Sequence, residues 1–434
     1  MTVREIIPAP GPVCGTIRPP GSRSITNRAL VVAALADGAS TLERAGLSDD
    51  TRVCAAALAS LGIAVETDEA GRCMRVAGCA GRVPAGPRDL DTGDSGTTTR
   101  FITALAAAGR GRYRIDGSPR MRERPIQDLL DGLAALGVSA RSEAGTGCPP
   151  VVVETDGLAG GTVRLAGTVS SQYLSGLLMA APTAAGDVMV EMAGDLVSKP
   201  YVDMTVTVME AFGAEVRRDG YARFHVPAPQ AYAARTYAVE PDASSASYFL
   251  AAAAATGGRV TVPGLARTSA QGDARFADVL RAMGCTVEWS DGGVTVTGPE
   301  RLTGLRVDLN AMPDMVLTLA PLALVARGRT VIENVANLRV KESDRLSALA
   351  AELARLGAKV EEYPDGLAIT PPEKVRPAEI ATYRDHRIAM GMAVVGLAAP
   401  GIRIADPGCV TKTYPGFFDD LDRLARGETE ESRP

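Results

Sequence analysis

The sequence predicts an α/β protein of two domains, each built from three βαβαββ units around buried parallel helices. The first observation is an amphipathic helix ending in a hydrophobe-Gly-aliphatic step, which occurs six times, the last copy being truncated. Its glycines lie 70 to 76 residues apart, at Gly62, Gly137, Gly213, Gly284, Gly357 and Gly427. The second is a set of six nearly uncharged helices that close at glycines 71 to 77 residues apart. Two landmarks with a shared period indicate a repeat.

The nearly uncharged helix opens each predicted unit. Its closing glycines are Gly38, Gly109, Gly186, Gly257, Gly328 and Gly401. A helix that is apolar on all sides must be buried, so we expect three of these helices side by side in each domain.

A short strand follows each buried helix, and the amphipathic helix comes next. The strand segments are TLERA, YRIDG, VMVEM, RVTVP, TVIENV and IRIAD. The amphipathic helix has a single apolar stripe, which predicts a position on the outside of the domain. A left-handed glycine is expected to end it, and further strands lead to the next unit.

The domain boundary is expected after the third unit, near residues 237–241. The first domain then contains residues 21–240. The second contains residues 241–434 together with residues 1–20, which are free to return as a strand. The active site is expected in the cleft between the two domains.

Composition excludes several classes of function. The chain has 434 residues, 46% of them hydrophobic and 22% charged, and a net charge of −5. It has no dense cationic face for nucleic acid and no run of about 20 apolar residues for a membrane span. Residues 1–12 contain no basic stretch followed by an apolar core, so no secretory signal is expected. We expect a cytoplasmic, monomeric protein whose partners are small molecules.

The cysteines and histidines predict neither a metal site nor a disulfide framework. The seven cysteines form no CxxC pair, and the two histidines have no zinc-binding spacing. Cys409 is interpreted as a small buried thiol rather than a nucleophile. His225 alternates with apolar neighbours, which favours a half-buried strand position over catalysis.

Polar residues precede every buried helix. In each domain three helix N-termini would emerge at one end, where free N–H groups and the helix dipole favour anions. The segments contain serine, threonine or aspartate, and the first, second and sixth also contain arginine: 21–28, 93–100, 167–172, 242–245, 313–314 and 384–387. Each such residue alone is an ordinary N-cap, but six in register predict an anion-binding site.

Cations stand where a helix dipole disfavours them. Arg124, Lys341 and Arg345 precede or open outer helices, so an anionic ligand is the better explanation for them. Only five of the 46 basic residues are lysine, and three of these, Lys199, Lys341 and Lys412, lie in such loops. Because an ammonium can transfer a proton, Lys341 suits catalysis beside Asp314 and Glu342.

Dispersed motifs resemble those of the 5-enolpyruvylshikimate-3-phosphate synthases, within the enolpyruvyl transferase family. The motifs are GSxSxTNRAL, GxSGTTxRF, GSPRMRERPIxDL, SSQY, SKPYVDMT, EPDASSASYF, NLRVKESDRL, RDHRIAM and TKTYPGFF. The resemblance spans almost the whole chain and implies the family's fold, an inside-out α/β barrel in two domains. It also implies transfer of the enolpyruvyl group of phosphoenolpyruvate to the 5-hydroxyl of shikimate-3-phosphate, without metal or organic cofactor.

The resemblance also implies roles for individual residues. Ser24 and Arg28 would hold the carboxylate of shikimate-3-phosphate. Its phosphate and ring would contact Ser170, Ser171, Ser198, Tyr201, Asn337, Asp314 and Lys341. The phosphoenolpyruvate site would contain Arg23, Asp94, Gly96, Arg124, Gln172, Arg345, Arg387 and Lys412, with Arg345 and Arg387 as forks for its carboxylate.

The reaction needs two proton transfers. The attacking hydroxyl loses a proton while the methylene carbon of phosphoenolpyruvate gains one, and the resulting ketal eliminates phosphate. We assign Asp314, helped by Lys341, to the hydroxyl and Glu342 to the methylene. Arg23 occupies a position of the catalytic set, and the packed cations stabilise the departing phosphate.

Two residues depart from the family pattern, which has lysine in place of Arg23 and asparagine in place of Asp94. We hypothesise a compensating pair of Arg23 with Asp94. The departures leave two alternatives open, a carboxyvinyl transferase acting on another phosphorylated acceptor and a catalytically silent binding paralogue. The sibling enzymes that act on UDP-N-acetylglucosamine are disfavoured because no cysteine lies between Gly117 and Arg124.

Overall fold

The structure, a computed structural model, describes residues 2–428, which contain six inner and six outer helices. They alternate along the chain, one of each in every repeat. The inner helices are α1 (Arg23–Leu35), α3 (Gly96–Ala107), α5 (Ser171–Ala180), α7 (Ala243–Thr256), α9 (Val316–Leu322) and α11 (His386–Gly396). The outer helices are α2 (Asp49–Leu61), α4 (Gln127–Ala135), α6 (Lys199–Ala211), α8 (Phe276–Ala282), α10 (Arg345–Arg355) and α12 (Phe417–Ala425).

Short strands connect the helices. In the first half of the chain they are β1 (Val3–Glu5), β2 (Cys14–Thr16), β3 (Ala39–Glu43), β4 (Val65–Asp68), β5 (Cys73–Ala77), β6 (Arg88–Asp91), β7 (Gly111–Asp116), β8 (Ser139–Ser142), β9 (Val151–Thr155), β10 (Gly161–Leu165), β11 (Val188–Met192), β12 (Arg217–Asp219), β13 (Arg223–Val226) and β14 (Thr236–Ala238). In the second half they are β15 (Arg259–Pro263), β16 (Thr286–Ser290), β17 (Gly293–Thr297), β18 (Leu302–Thr303), β19 (Arg306–Asp308), β20 (Ala326–Arg327), β21 (Thr330–Glu333), β22 (Lys359–Tyr363), β23 (Gly366–Thr370), β24 (Ala378–Ile380) and β25 (Ile402–Ala405).

The described chain separates into two compact units. One is Gly21–Val239, and the other joins the N-terminal segment up to Pro20 to the residues from Glu240 onward. The segment before Pro20 enters that second unit as strands, because β2 pairs with β15 and β1 pairs with β25.

Each repeat forms its own small sheet. Five sheets have four strands, in the orders β14-β3-β5-β4, β6-β7-β9-β8, β10-β11-β13-β12, β16-β17-β15-β2 and β19-β21-β23-β22. In each of these sheets one pair of neighbouring strands runs parallel. In two of the sheets one strand of that pair comes from elsewhere in the chain, namely β14 beside β3 and β2 beside β15. The last repeat has a three-stranded sheet, β1-β25-β24, and a separate pair joins β18 to β20. The predicted α/β class is confirmed.

The inner helices form the core of each unit. Every residue of α7 from Ala243 to Ala254 is buried, whereas α10 buries one stripe that includes Leu346, Leu349 and Leu353. Within each unit the three inner helices pack against one another. The absence of charge that distinguished these helices in the sequence therefore reflects burial on all sides.

The glycines that close the outer helices have the predicted left-handed conformation. All six have positive φ, from 71° at Gly427 to 106° at Gly284. No L-residue with a Cβ adopts this region at low cost, so the glycine both ends the helix and turns the chain toward the next strand. Over residues 2–428 no helix is long and apolar enough to cross a membrane.

Candidate functional site

The inner-helix N-termini of the unit Gly21–Val239 are capped by serine hydroxyls. Ser22 accepts from the N–H of Ile25, Ser95 from that of Thr98, and Ser170 from that of Gln172, at 3.4, 3.3 and 3.2 Å. A serine that accepts at a cap still has its hydroxyl proton to donate. Ser170 therefore holds α5 in place and can also donate to an anion.

Arg28 is fully buried among neutral partners. Its Nε donates to Oγ1 of Thr205 at 2.7 Å, Nη1 to the carbonyl of Ser24 at 2.9 Å, and Nη2 to the carbonyl of Tyr201 at 3.0 Å. Its guanidinium also lies 6.0 Å from the ring centroid of Tyr201. Among residues 2–428 no carboxylate forms an ion pair with it, and burial lowers the pKa of Arg28 to about 10. The cation is charged at neutral pH and uncompensated.

Two more arginines surround Gly96. A Cβ built on Gly96 would lie 2.6 Å from Nη1 of Arg124 and 2.8 Å from Nη1 of Arg100. Arg100 donates to the carbonyl oxygens of Gly96 and Pro125, and burial together with the charge of Arg124 lowers the pKa of Arg100 to about 10. Within the described part of the chain neither guanidinium forms an ion pair with a carboxylate, and the Nε of each has no hydrogen-bond partner. A side chain at this position would push both guanidinium groups away from the start of α3.

Gln172 and Ser198 complete this half-site. Nε2 of Gln172 donates to Oγ1 of Thr97 at 3.1 Å, which connects the N-termini of α5 and α3. Ser198 precedes α6 with φ of 56° and forms no cap hydrogen bond to that helix. A non-glycine residue in this conformation is strained, which is a feature of ligand-binding positions.

The two departing residues have carboxylate and hydroxyl partners. Arg23 forms an ion pair with Asp50, with Nη1 2.6 Å from Oδ2, and both side chains are largely buried. Asp94 accepts a short hydrogen bond from Ser118. The ion pair with Asp50 neutralises the guanidinium of Arg23, and the pairing of Arg23 with Asp94 stays a prediction.

The other unit contains a cluster of charged residues centred on Asp314. This residue lies in the turn Pro313–Met315 that precedes α9. Its Oδ1 lies 2.9 Å from Nη1 of Arg345 and its Oδ2 lies 2.8 Å from Nη2 of Arg387. The structure thus brings together three residues that the sequence predicted for two different roles.

Arg345 is buried among three carboxylates. Besides Asp314, it contacts Asp385 through Nε at 2.8 Å and Glu342 through Nη2 at 2.9 Å. Burial by itself would lower the pKa of Arg345, but Asp385, Glu342 and Asp314 together raise it above its usual value. Asp385 also accepts from the backbone N–H of Arg387 and so caps α11.

Glu342 connects this cluster to Lys412. Oε1 of Glu342 lies 3.0 Å from Nζ of Lys412, and both side chains are largely buried. Asn337 lies in the turn Ala336–Val340 that leads into α10, and Lys341 directly follows this turn. Lys341 therefore adjoins Glu342 in the chain.

Behind Arg387 lie Ser244, from the predicted segment 242–245, and Asp273, which the sequence did not predict. Nη2 of Arg387 donates to Oγ of Ser244 at 3.3 Å, and Ser244 donates a short hydrogen bond to Asp273. Burial, with the charge of Asp314, raises the pKa of Asp273 to about 6. Asp273 lies in a short turn with no local signal, whereas Arg100 could have been found as an arginine in an otherwise uncharged helix.

The structure also shows the surroundings of Cys409 and His225, the two other residues considered in the sequence. Burial raises the pKa of the Cys409 thiol to about 12, which disfavours a nucleophilic thiolate. His225 is half-buried on β13 and pairs with Asp187 at 2.9 Å. Among the described residues no group of three or more histidine, cysteine or acidic side chains could hold a metal ion.

Comparison with protein families gives a match along most of the chain. The family model described as EPSP synthase (3-phosphoshikimate 1-carboxyvinyltransferase) matches residues 7–421. The chain is 49% identical over 407 residues to the 3-phosphoshikimate 1-carboxyvinyltransferase of Nostoc punctiforme, which covers 94% of this chain and 95% of the relative. It is 47% identical over 431 residues to the chloroplastic 3-phosphoshikimate 1-carboxyvinyltransferase of Petunia hybrida, covering 95% and 84%.

Solved structures agree with the fold. An EPSP synthase from Acinetobacter baumannii superposes with a TM-score of 0.82 at 25% identity and 98% coverage of both chains. The enolpyruvyl transferase NikO from Streptomyces tendae superposes with a TM-score of 0.79 at 19% identity and 97% coverage of both. At the latter identity the likeness supports the fold alone.

Proposed function

The chain belongs to the EPSP synthase (3-phosphoshikimate 1-carboxyvinyltransferase) family, and we propose that it transfers the enolpyruvyl group of phosphoenolpyruvate to the 5-hydroxyl of shikimate-3-phosphate, releasing phosphate. One observation carries the proposal at the level of the site. The unit Gly21–Val239 buries arginines without carboxylate partners among the described residues, which suits ligands with several negative charges.

Shikimate-3-phosphate is assigned mainly to the serines and Arg28. Arg28 and Ser24 would receive its carboxylate, and the guanidinium of Arg28 already contacts the backbone of Ser24 and Tyr201. Its phosphate would accept hydrogen bonds from Ser170, Ser171 and Ser198. A charge-assisted bond to the buried guanidinium would offset the cost of burying that cation.

Phosphoenolpyruvate is assigned to residues of both units. Its phosphate would contact Arg124, Gln172 and Lys412, and its carboxylate would contact Arg345 and Arg387. The remaining members of this set are Arg23, Asp94 and Gly96. Arg124 supports the assignment, because its buried guanidinium has no carboxylate partner within residues 2–428 and is held against the helix start at Gly96.

The chemistry requires a base for the 5-hydroxyl and an acid for the methylene carbon. Asp314 takes the hydroxyl proton as the oxygen attacks C2 of phosphoenolpyruvate. Lys341 and Asn337, in and after the turn before α10, are assigned to the same hydroxyl. Glu342 delivers a proton to the methylene carbon, and Lys412, whose Nζ lies 3.0 Å from Oε1 of Glu342, stabilises the carboxylate left behind. As the ketal expels phosphate, a methyl proton returns to Glu342, which restores the carbon–carbon double bond, and the surrounding cations stabilise the charge of the phosphate.

The location in the cell and the oligomeric state complete the proposal. We place the enzyme in the cytoplasm and take it to act as a monomer. Neither substrate binding nor the proton transfers assigned above require a metal or an organic cofactor.

The test is phosphate release by the purified protein with shikimate-3-phosphate and phosphoenolpyruvate. We expect turnover by the wild type and by the double reversion Arg23→Lys, Asp94→Asn, and none by the control Lys341→Met. Turnover by the revertant alone would instead favour another phosphorylated acceptor or a silent binding paralogue. Screening other phosphorylated alcohols with the wild type then separates those two.

A further inference from the structure

Asp314 occupies both arginines that are assigned to the donor carboxylate. Its two oxygens are divided between Arg345, at 2.9 Å, and Arg387, at 2.8 Å. Both guanidiniums are 2% exposed, so the carboxylate is held in a largely dry site where its attraction to the arginines is weakly screened. A ligand carboxylate that binds these arginines meets an occupied position.

Counting donors on Arg345 shows how full this position is. A guanidinium has five N–H groups. Nε and Nη2 contact Asp385 at 2.8 and 3.2 Å, Nη2 also contacts Glu342 at 2.9 Å, and Nη1 contacts Asp314. These four contacts leave one N–H group. Two hydrogen bonds from Arg345 to the carboxylate of a ligand therefore require one of the present carboxylates to leave.

Charge balance indicates that the exchange is one for one. The connected ion pairs contain three cations, Arg345, Arg387 and Lys412, and three carboxylates, Asp314, Glu342 and Asp385. A fourth carboxylate added to this buried cluster would be uncompensated, which is costly, whereas replacement of one carboxylate by another keeps the balance.

Asp314 is the carboxylate that forms ion pairs with both arginines, and its place in the fold permits it to leave. Asp385 caps α11, and the other inner helices α1, α3, α5 and α7 are capped by serine or aspartate side chains. Helix α9 breaks this rule, because neither it nor the turn Pro313–Met315 has a capping side-chain bond. Rotation of the Asp314 side chain thus removes no helix cap.

We propose that Asp314 determines specificity for donors that carry a carboxylate, because only such a ligand displaces it from Arg345 and Arg387. The displaced side chain is then free to accept the proton of the acceptor hydroxyl. The inference rests on the proposed function, since it uses the assignment of the donor carboxylate. Ligands with a phosphate but no carboxylate bind without releasing the base.

The experiment compares two ligands on Asp314→Asn. Isothermal titration measures the affinity of the wild type and the variant for phosphoenolpyruvate and for inorganic phosphate. The neutral amide competes weakly for the arginines, so phosphoenolpyruvate is expected to bind about tenfold more tightly to the variant, the factor for a site that is free of its internal competitor about a tenth of the time. Affinity for inorganic phosphate should stay within about twofold.

The matched control is Asp273→Asn, which removes a buried carboxyl group that lies near Arg387 and accepts a hydrogen bond from Ser244. Its gain in phosphoenolpyruvate affinity should be smaller than that of the Asp314 variant. Equal gains, a gain that extends to inorganic phosphate, or unchanged or weaker phosphoenolpyruvate binding by Asp314→Asn would overturn the proposal. Asp314→Ser replaces Asp314→Asn if the latter does not fold.

Phosphate release by the wild type, measured first, separates this inference from the proposed function. Turnover with shikimate-3-phosphate but no carboxylate-specific gain sinks the role of Asp314 alone. A carboxylate-specific gain without such turnover supports the role of Asp314 and sinks the proposed acceptor.

Discussion

Arg28 and Arg345 are equally buried and yet lie in opposite electrostatic surroundings. Arg28, in the unit Gly21–Val239, donates to a hydroxyl and to carbonyl oxygens, and burial lowers its pKa to about 10. Arg345, in the other unit, contacts Asp385, Glu342 and Asp314, which raise its pKa despite burial. Partners rather than depth therefore decide whether a buried cation is compensated.

The difference predicts that the surroundings of Arg28 and those of Arg345 respond differently to an anionic ligand. Uncompensated cations gain from any anion that reaches them, so the half-site of Arg28 is suited to capturing a charged ligand. A balanced cluster gains little from an added anion and can only exchange one carboxylate for another.

The largest expected effect is on stability, from Arg345→Met compared with Arg28→Met. Removal of Arg345 takes the main partner from the fully buried Asp385, so unfolding by urea should show a loss of about 3–5 kcal/mol. Removal of Arg28 leaves no carboxylate unpaired, and we expect a loss of about 1 kcal/mol. Equal losses would break the comparison between the two arginines.

An intermediate effect is expected from Asp273, a carboxyl group whose raised pKa mirrors the lowered pKa of Arg28. With a pKa of about 6 in the folded protein, Asp273 is protonated in acid in both the folded and unfolded states and imposes no penalty there. As pH rises from about 4 to about 6, Asp273 ionises in the unfolded state but stays protonated in the folded state, so the wild type loses roughly 2–3 kcal/mol of stability across this window.

Asp273→Asn should consequently gain stability relative to the wild type as pH rises through this window. Thermal melts of both proteins at about pH 4.5 and about pH 7.5 give the comparison, since loss of the bond to Ser244 affects both conditions alike. Asp278→Asn, in the following helix and 46% exposed, is the control and should show no such trend. A pH-independent difference for Asp273→Asn would contradict the prediction.

The smallest effect is expected where an arginine has a carboxylate partner but no burial. Arg52 lies 2.8 Å from both carboxylate oxygens of Glu69, and the two side chains are 44% and 61% exposed. Arg52→Met should cost less than about 0.5 kcal/mol in urea unfolding, because water screens the pair. At about 1 M salt the difference should vanish. A loss near that of Arg345→Met would show that partners act without burial.

The repeat and the class of helix were predictable because they depend on local pattern. Glycine spacing located the outer-helix ends, such as Gly62 and Gly284, and the lack of charge located the inner helices. The arginines and lysines of the loops were likewise visible as cations at helix starts. The ligand roles of these residues, and the division into residues 21–240 and the remainder, stay predictions.

What the sequence by itself determined is the periodic fold and the set of charged residues near the helix starts, since periodicity and helix dipoles act between near neighbours. Only the tertiary structure decided which charge meets which. Arg23 meets Asp50 across 27 residues, and Arg345 meets Asp314 across 31 and Asp385 across 40. Such pairs follow from how helices and turns far apart in the chain pack, both within a repeat and between repeats, and no local pattern encodes that packing. For this reason the contrast between uncompensated and balanced arginines became visible only in the folded chain.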